Sequence, residues 1–233
     1  MKSTVVRFSG IQRAEHASIM LLFVVLAVTG LPQKYFDQGW AQTLTSMLGG
    51  IDPARWMHRA AGILFVLVTT VHLGRMIFLV VTGRSKLSLV PTRQDFRDAI
   101  ITLRYYLGVS DQQARFDRFD YRQKFEYWGL VLGAAVVGGT GFVLLYPTAV
   151  TRFLPGQVIP AAQVAHSYEG LMAFLVVIVW HIYNAHLNPD VFPFDTTIFT
   201  GRISRERMRH EHPLEYEQML QNEKAPGKVE NVA

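Results

Sequence analysis

Four long apolar stretches constrain the fold of this chain more than any other feature. They cover about residues 14–32, 53–82, 127–146 and 161–185. A helix of roughly 20 apolar residues crosses the hydrocarbon core of a bilayer, so each stretch is long enough to span a membrane. The sequence therefore predicts an all-α integral membrane protein, built as a bundle of four transmembrane helices.

The distribution of positive charge predicts how this bundle is oriented. The loop between the second and third stretches and both chain ends are rich in Lys and Arg, whereas the other two loops hold only Lys34, Arg55 and Arg152. By the positive-inside rule, both termini and the long middle loop are cytoplasmic. We expect a multi-pass membrane protein, in contact with lipid. The net charge of +5 fits this orientation signal, so nucleic acid is not an expected partner.

Two further helices are predicted outside the membrane. Thr92 and Asp95 form a capping box before apolar residues that recur at helical spacing over Phe96–Leu107. This pattern indicates a short amphipathic helix at the membrane surface. The segment Ser204–Gln221 is typical of a polar cytoplasmic helix. We assign residues 1–222 to one domain and expect residues 223–233 to form a flexible polar tail.

The histidines carry the candidate chemistry. The chain has no cysteine, which excludes iron–sulfur ligation and covalent haem attachment within it. Ionisable residues within membrane spans are costly and usually functional. Six of the eight histidines lie in or at the ends of the apolar stretches, and these are His16, His58, His72, His166, His181 and His186.

The second and fourth stretches repeat one histidine pattern. His58 is followed after 14 residues by His72, and His166 is followed after 15 residues by His181. Fourteen residues are about 21 Å of helix, so two parallel helices could hold two b-type haems through axial imidazoles, one near each membrane surface. Glycines four residues after His58 and His166 would let a porphyrin approach the backbone.

His16 makes the assignment of the second haem ambiguous. It opens the first stretch near the expected depth of His72 and His181. Three histidines therefore compete for two ligand positions, and the spacing alone leaves either His16 or His72 as the partner of His181.

Several segments resemble one family. R-A-E-H-A-S-I and T-G-L occur in the first stretch, M-H-R-A-A-G in the second, F-D-Y-R-Q-K before the third, and A-H-S-Y-E-G and W-H-I-Y in the fourth, followed by T-G-R-I-S-R-E-R-M-R-H-E-H-P-L-E-Y. In this order they resemble the cytochrome b (gamma) subunits of respiratory formate dehydrogenases and membrane hydrogenases, which are di-haem and similar to bacterial cytochrome b561.

The resemblance implies a ligand set and a quinone site. It implies that His58 and His166 hold the haem near the periplasm, and that His16 and His181 hold the haem near the cytoplasm. It also implies a quinone site, for menaquinone or ubiquinone, at Asp120, Arg122 and Gln123. His186 is a further candidate contact for the quinone.

Four residues depart from the family pattern. Asp120 stands where the family usually has an amide, and Arg122 where it has a small residue. His72 has no equivalent ligand in the formate dehydrogenase subunit, and His181 is one residue further from His166 than in the family. His72 remains the alternative ligand, as in cytochrome b of the quinol–cytochrome c complexes. Arg75, one turn beyond His72, is a candidate partner for a haem propionate.

The predicted function is electron transfer across the membrane. We expect a membrane-anchoring di-haem subunit that passes electrons between an extracytoplasmic iron–sulfur or multihaem cytochrome subunit, with its catalytic subunit, and a quinone near the cytoplasmic side. The alternatives are a proton or metal transporter that uses the histidines directly, and a membrane anchor without redox function.

Overall fold

The computed structural model describes residues 3–189 and 191–224, and these residues are mostly helical. Four helices are long and apolar enough to cross a membrane: Gly10–Lys34 (α1), Ile51–Val81 (α3), Tyr121–Leu145 (α5) and Val158–Leu187. The predicted all-α membrane bundle is confirmed. Each predicted stretch overlaps its helix, and their ends differ by at most six residues. Of the predicted tail, residues 225–233 lie outside the described part of the chain.

Contacts divide the chain into two compact units. The terminal unit consists of Met1–Arg13, Arg75–Gly129 and Thr196–Ala233, and the bundle unit consists of Ala14–Gly74 and Leu130–Asp195. The bundle unit contains most of the length of the four long helices. It also contains two short helices that were not predicted, Gly39–Met47 (α2) and Pro147–Val150 (α6).

Small residues bring the long helices of the bundle unit close together. A Cβ atom added at Gly138 of α5 would lie 2.9 Å from Val66 Cγ2 on α3. One added at Gly133 would lie 2.7 Å from Glu169 Oε1 on the fourth long helix. Membrane helices pack through such small residues because lipid offers no hydrophobic drive for their association.

The fourth long helix changes its hydrogen-bonding pattern part-way along. It is α-helical over Val158–Leu175 (α7) and continues as π-helix over Val176–His181 and Tyr183–Leu187. A π-helix has i→i+5 hydrogen bonds and accommodates an inserted residue without breaking the helix.

The terminal unit combines short elements from three parts of the chain. Strand Thr4–Val6 (β1) pairs antiparallel with Arg202–Ser204 (β2). The helices of this unit are Arg93–Tyr106 (α4), Thr197–Thr200 (α8), Arg205–Glu211 (α9) and Pro213–Lys224 (α10).

Both predicted polar helices are present, one of them in two pieces. The capping box of α4 forms, since the backbone N–H and hydroxyl of Thr92 donate to Asp95 Oδ2 at 2.6 and 2.8 Å. The predicted helix Ser204–Gln221 is broken between α9 and α10 at His212, because the residue before a proline disfavours helical backbone angles.

A buried ionic cluster joins the segments of the terminal unit. Arg7 is only 3% exposed and pairs with Glu215, which also binds Arg118 Nη1 at 3.0 Å. His212 Nδ1 donates to the carbonyl of Asp117 at 2.8 Å, and its Nε2 lies 3.1 Å from Arg7 Nη2. Burial and the neighbouring Arg7 lower the pKa of His212 to about 4, so this imidazole is neutral in the folded protein at neutral pH.

Candidate functional site

Four histidines of the bundle unit lie opposite one another as two pairs. The ring centres of His58 and His166 are 6.1 Å apart, and those of His16 and His181 are 6.2 Å apart. We call His58–His166 the first pair and His16–His181 the second pair. Each pair joins two different long helices.

The spacing of both pairs fits one metal ion between two imidazoles. A metal–imidazole bond of about 2 Å, plus about 1 Å from the nitrogen to the ring centre, places two axial ring centres about 6 Å apart. Both pairs match this value. Across residues 3–189 and 191–224, no three histidine, cysteine, aspartate or glutamate residues form a group that could hold a metal ion. In the described part of the chain, the four histidines therefore lie as pairs, at a spacing that two ligands of one metal ion would have.

Thr29 fixes the hydrogen-bonding state of His58. Its hydroxyl donates to the carbonyl of Val25 at 2.7 Å and lies 2.9 Å from His58 Nδ1. Because the hydroxyl proton is directed to Val25, the oxygen accepts a hydrogen bond from His58 Nδ1–H. The lone pair on Nε2 is then available to a metal, as in ligand histidines whose other nitrogen is held by an acceptor.

Thr140 repeats this arrangement at His166. Its hydroxyl donates to the carbonyl of Val136 at 2.6 Å and lies 3.2 Å from His166 Nδ1. The carbonyl of Val137 lies 3.0 Å from the same nitrogen, and at His58 the backbone of Leu26 likewise accepts a hydrogen bond. Both imidazoles of the first pair therefore present Nε2 as the coordinating nitrogen.

A glycine follows each of these threonines and makes room for the ring. A Cβ atom added at Gly30 would lie 2.9 Å from His58 Cε1, and one added at Gly141 would lie 3.2 Å from His166 Cε1. The glycines four residues after the histidines behave differently. An added Cβ meets only Leu26, at 3.9 Å, beside Gly62, and no described atom within 4 Å beside Gly170. These two glycines therefore do not pack against a histidine ring.

The π-helix places His181 in the second pair. In a regular α-helix, the extra residue between His166 and His181 would turn His181 by about 100° relative to the family spacing. The π-helical segment Val176–His181 absorbs one residue, and the ring lies opposite His16. The π-helical segment therefore allows His181 to lie opposite His16 despite the extra residue between His166 and His181.

His72 lies in a different arrangement. Its Nδ1 is 2.9 Å from Glu15 Oε2, and both side chains are largely buried. Glu15 immediately precedes His16 in α1, and these two neighbours have different partners. Glu15 contacts His72, and His16 lies opposite His181. The geometry favours His16 over His72 as the partner of His181.

The predicted quinone residues are divided between the two units. In the terminal unit, Arg122 binds Asp120 Oδ2 at 2.7 Å, and Gln123 and Asp120 exchange two hydrogen bonds that cap α5. His186 belongs to the bundle unit, where its ring stacks on Phe194 with centres 4.1 Å apart. Arg75 is half-buried on α3.

Sequence reasoning missed several residues around the pairs. Thr29 and Thr140 were not singled out, although the dipeptide Thr-Gly occurs in both α1 and α5 and was a usable signal. Lys34 was also missed; its Nζ lies 3.6 Å from the centre of the Tyr168 ring and 3.3 Å from Ser167 Oγ, beside His166 in the sequence. Such a cation could bind a carboxylate group near the first pair.

The comparison with known families agrees with this geometry. The family model for prokaryotic cytochrome b561 matches residues 7–191, well over half of the chain. The chain belongs to the prokaryotic cytochrome b561 family. A search of curated proteins finds no match.

Membership of the cytochrome b561 family gives the histidine pairs their chemistry. It shows a multi-pass membrane protein that carries b-type haem and transfers electrons. A b-type haem is bound non-covalently through axial side chains, which agrees with the absence of cysteine from the chain. The residues that fit this role are the four histidines of the two pairs.

Proposed function

We propose that this cytochrome b561 is a di-haem subunit that carries electrons across the bacterial inner membrane. The observation that supports it best is the presence of two histidine pairs with ring centres 6.1 and 6.2 Å apart, one between α3 and the fourth long helix and the other between α1 and the fourth long helix. His58 and His166 would hold one haem, and His16 and His181 the other. When bound, each haem supplies a one-electron carrier.

The surrounding residues prepare the sites for this role. Thr29 and Thr140 hold the imidazoles of the first pair in one tautomer, which orients Nε2 before a ligand binds. Gly30 and Gly141 allow the rings to lie close to the neighbouring helices. The pairs are separated by 15 residues of one helix, enough to reach from one side of the bilayer towards the other.

The partners at both ends belong to the same proposal. We infer that an extracytoplasmic iron–sulfur or multihaem cytochrome subunit, with its catalytic subunit, exchanges electrons with the first pair. A quinone near the cytoplasmic side would be the other redox partner, and the resemblance implies Asp120, Arg122 and Gln123 as its candidate contacts. The resemblance to the cytochromes of formate dehydrogenases and hydrogenases supports this choice of redox partners.

The haem-to-protein ratio tests the ligand assignment. We expect two haems per chain in the parent, one in His58→Ala and one in His16→Ala. The matched variant His72→Ala should retain both, because His72 contacts Glu15 rather than the second pair. Loss of a haem in His72→Ala but not in His16→Ala would reverse the assignment of the second pair.

Two spectroscopic results would separate the wider proposal from its alternatives. Purified protein without haem absorbance after dithionite reduction would favour a histidine-based transporter or a non-redox anchor. A quinol analogue should reduce the haems of the parent, and Asp120→Ala should slow this reduction while leaving the haem content unchanged. Equal rates in both proteins would remove Asp120 from the quinone site.

A further inference from the structure

Helix α4 of the terminal unit has its apolar face outward. Phe96, Ile100, Leu103 and Leu107 recur at helical spacing along one side, and each is between 58% and 72% exposed. The acidic residues Asp95 and Asp98 of the same segment are buried against the protein. A helix that faces water has the opposite arrangement, so this face requires a non-aqueous neighbour.

Two contacts fix α4 at the level where a transmembrane helix begins. Lys124, in the first turn of α5, binds both carboxylate oxygens of Asp95 at 2.7 and 2.9 Å. Trp128, one turn further along α5, donates from Nε1 to the carbonyl of Leu89 in the loop before α4 at 3.0 Å. The start of α4 is therefore held beside the end of a bilayer-spanning helix.

The charges next to the apolar row point to the identity of the neighbour. Arg97 and Arg104 are seven residues apart and Arg93 is four residues before Arg97, so all three lie along one side of the helix, next to the apolar row. All three side chains are exposed. An apolar row flanked by arginines matches a bilayer surface, with acyl chains below and anionic headgroups beside the guanidinium groups.

We propose that α4 is an interfacial helix that binds anionic phospholipid. Its row of Phe96, Ile100 and Leu103 lies among the upper acyl chains, and Arg93, Arg97 and Arg104 bind the headgroup phosphates. Each arginine near such a surface favours an anionic lipid by about fivefold. This inference concerns the terminal unit and does not depend on the haem or quinone assignments.

The absence of cysteine allows a direct test on the full-length holoprotein. A fluorophore is attached at Ile100→Cys, and the protein is placed in bilayers of phosphatidylcholine and phosphatidylglycerol in which one lipid at a time carries bromine on its acyl chains. We expect both brominated lipids to quench the label, with stronger quenching by phosphatidylglycerol. A label at Glu206→Cys on α9 is the exposed reference and should not respond.

The arginines are tested by a triple variant, Arg93→Gln, Arg97→Gln and Arg104→Gln, with the label kept at position 100. We expect its quenching to remain but the preference for phosphatidylglycerol to disappear. Haem content and gel-filtration profile report whether each variant folds, and Leu103→Cys is the second labelling position.

Two outcomes would overturn the proposal. Absence of quenching at position 100, in a folded protein, would mean that protein or water covers the apolar face instead of lipid. If the fluorescence of the label then changes when the protein is diluted, the covering protein is a second copy of the chain. Equal quenching by both lipids in the parent would show that the arginines do not select anionic headgroups.

Discussion

The contact between Gly30 and His58 predicts that a single methyl group at position 30 weakens haem binding at the first pair. In Gly30→Ala, the added Cβ would lie 2.9 Å from His58 Cε1, whereas unstrained carbon contacts are about 3.5–4.0 Å. The ring would have to move by roughly 0.6 Å or more. It is held by the 2.9 Å hydrogen bond to Thr29, so the movement also disturbs the coordinating geometry.

The expected magnitude follows from the cost of overpacking. Forcing a methyl group into a packed site costs about 1–3 kcal/mol, which corresponds to roughly a 5- to 150-fold weaker haem affinity. Gly141→Ala should have a smaller effect, because its added Cβ would lie 3.2 Å from His166 Cε1. Gly139→Ala is the matched control on α5, since no described atom lies within 4 Å of its added Cβ.

Haem titration of the purified apoprotein, followed by optical and EPR spectra of the low-spin haem, measures these effects. Haem affinity should equal that of the parent in Gly139→Ala, be lower in Gly141→Ala and be lowest in Gly30→Ala. An unchanged first haem in Gly30→Ala would refute the reasoning, as would an equal loss in Gly139→Ala, because the effect would then have no connection with the ring contact.

Three further predictions concern hydrogen bonds and charge. Thr29→Val removes the hydroxyl that accepts from His58 Nδ1–H and should raise the reduction potential of the haem at the first pair by on the order of tens of millivolts, measured by redox titration. Thr140→Val removes the matching hydroxyl at His166 and should shift the potential in the same direction; in each variant a backbone hydrogen bond, to Leu26 or Val137, remains at the imidazole. His212 has a pKa of about 4 when folded and about 6.5 when unfolded, so its contribution to stability is complete above pH 6.5 and is lost between pH 6.5 and 4, about 3 kcal/mol in total. Denaturant unfolding across this pH range should show that slope, and His212→Gln should flatten it. Lys124→Met leaves the buried Asp95 without its cation, and hydrogen exchange in the first turn of α4 should become faster than in the parent.

The sequence was sufficient for the bundle and insufficient for the neighbours of the histidines. Spans are readable because crossing a bilayer requires a minimum length of apolar residues, which no local packing detail can change. The role of Thr29 depends on which way α1 is rotated, and hydropathy does not fix that rotation. A threonine in a membrane helix usually bonds its own backbone, so its second contact with His58 could not be inferred from residue type.

The π-helix was hidden for a related reason. Hydropathy records where a helix lies but not which carbonyl each N–H reaches, so Val176–His181 looks like any other apolar helix. The only trace in the sequence was the spacing of 15 residues between His166 and His181. The spacing is one residue longer than the resemblance implies, and a π turn absorbs that extra residue.

Two adjacent residues of α1, rather than one, favour His16 over His72 as the proposed ligand. Neighbouring side chains on an α-helix point about 100° apart, so the rotation of α1 that directs His16 towards His181 also sets the direction of Glu15. The structure satisfies both at once, with His16 opposite His181 and Glu15 bound to His72. Rotating α1 so that His16 left the second pair would also separate Glu15 from His72 and leave a carboxylate in the bundle without that partner. Because the two contacts depend on one rotation, the hydrogen-bonding contact between Glu15 and His72 stabilises the proposed ligand arrangement, and the sequence R-A-E-H encodes both.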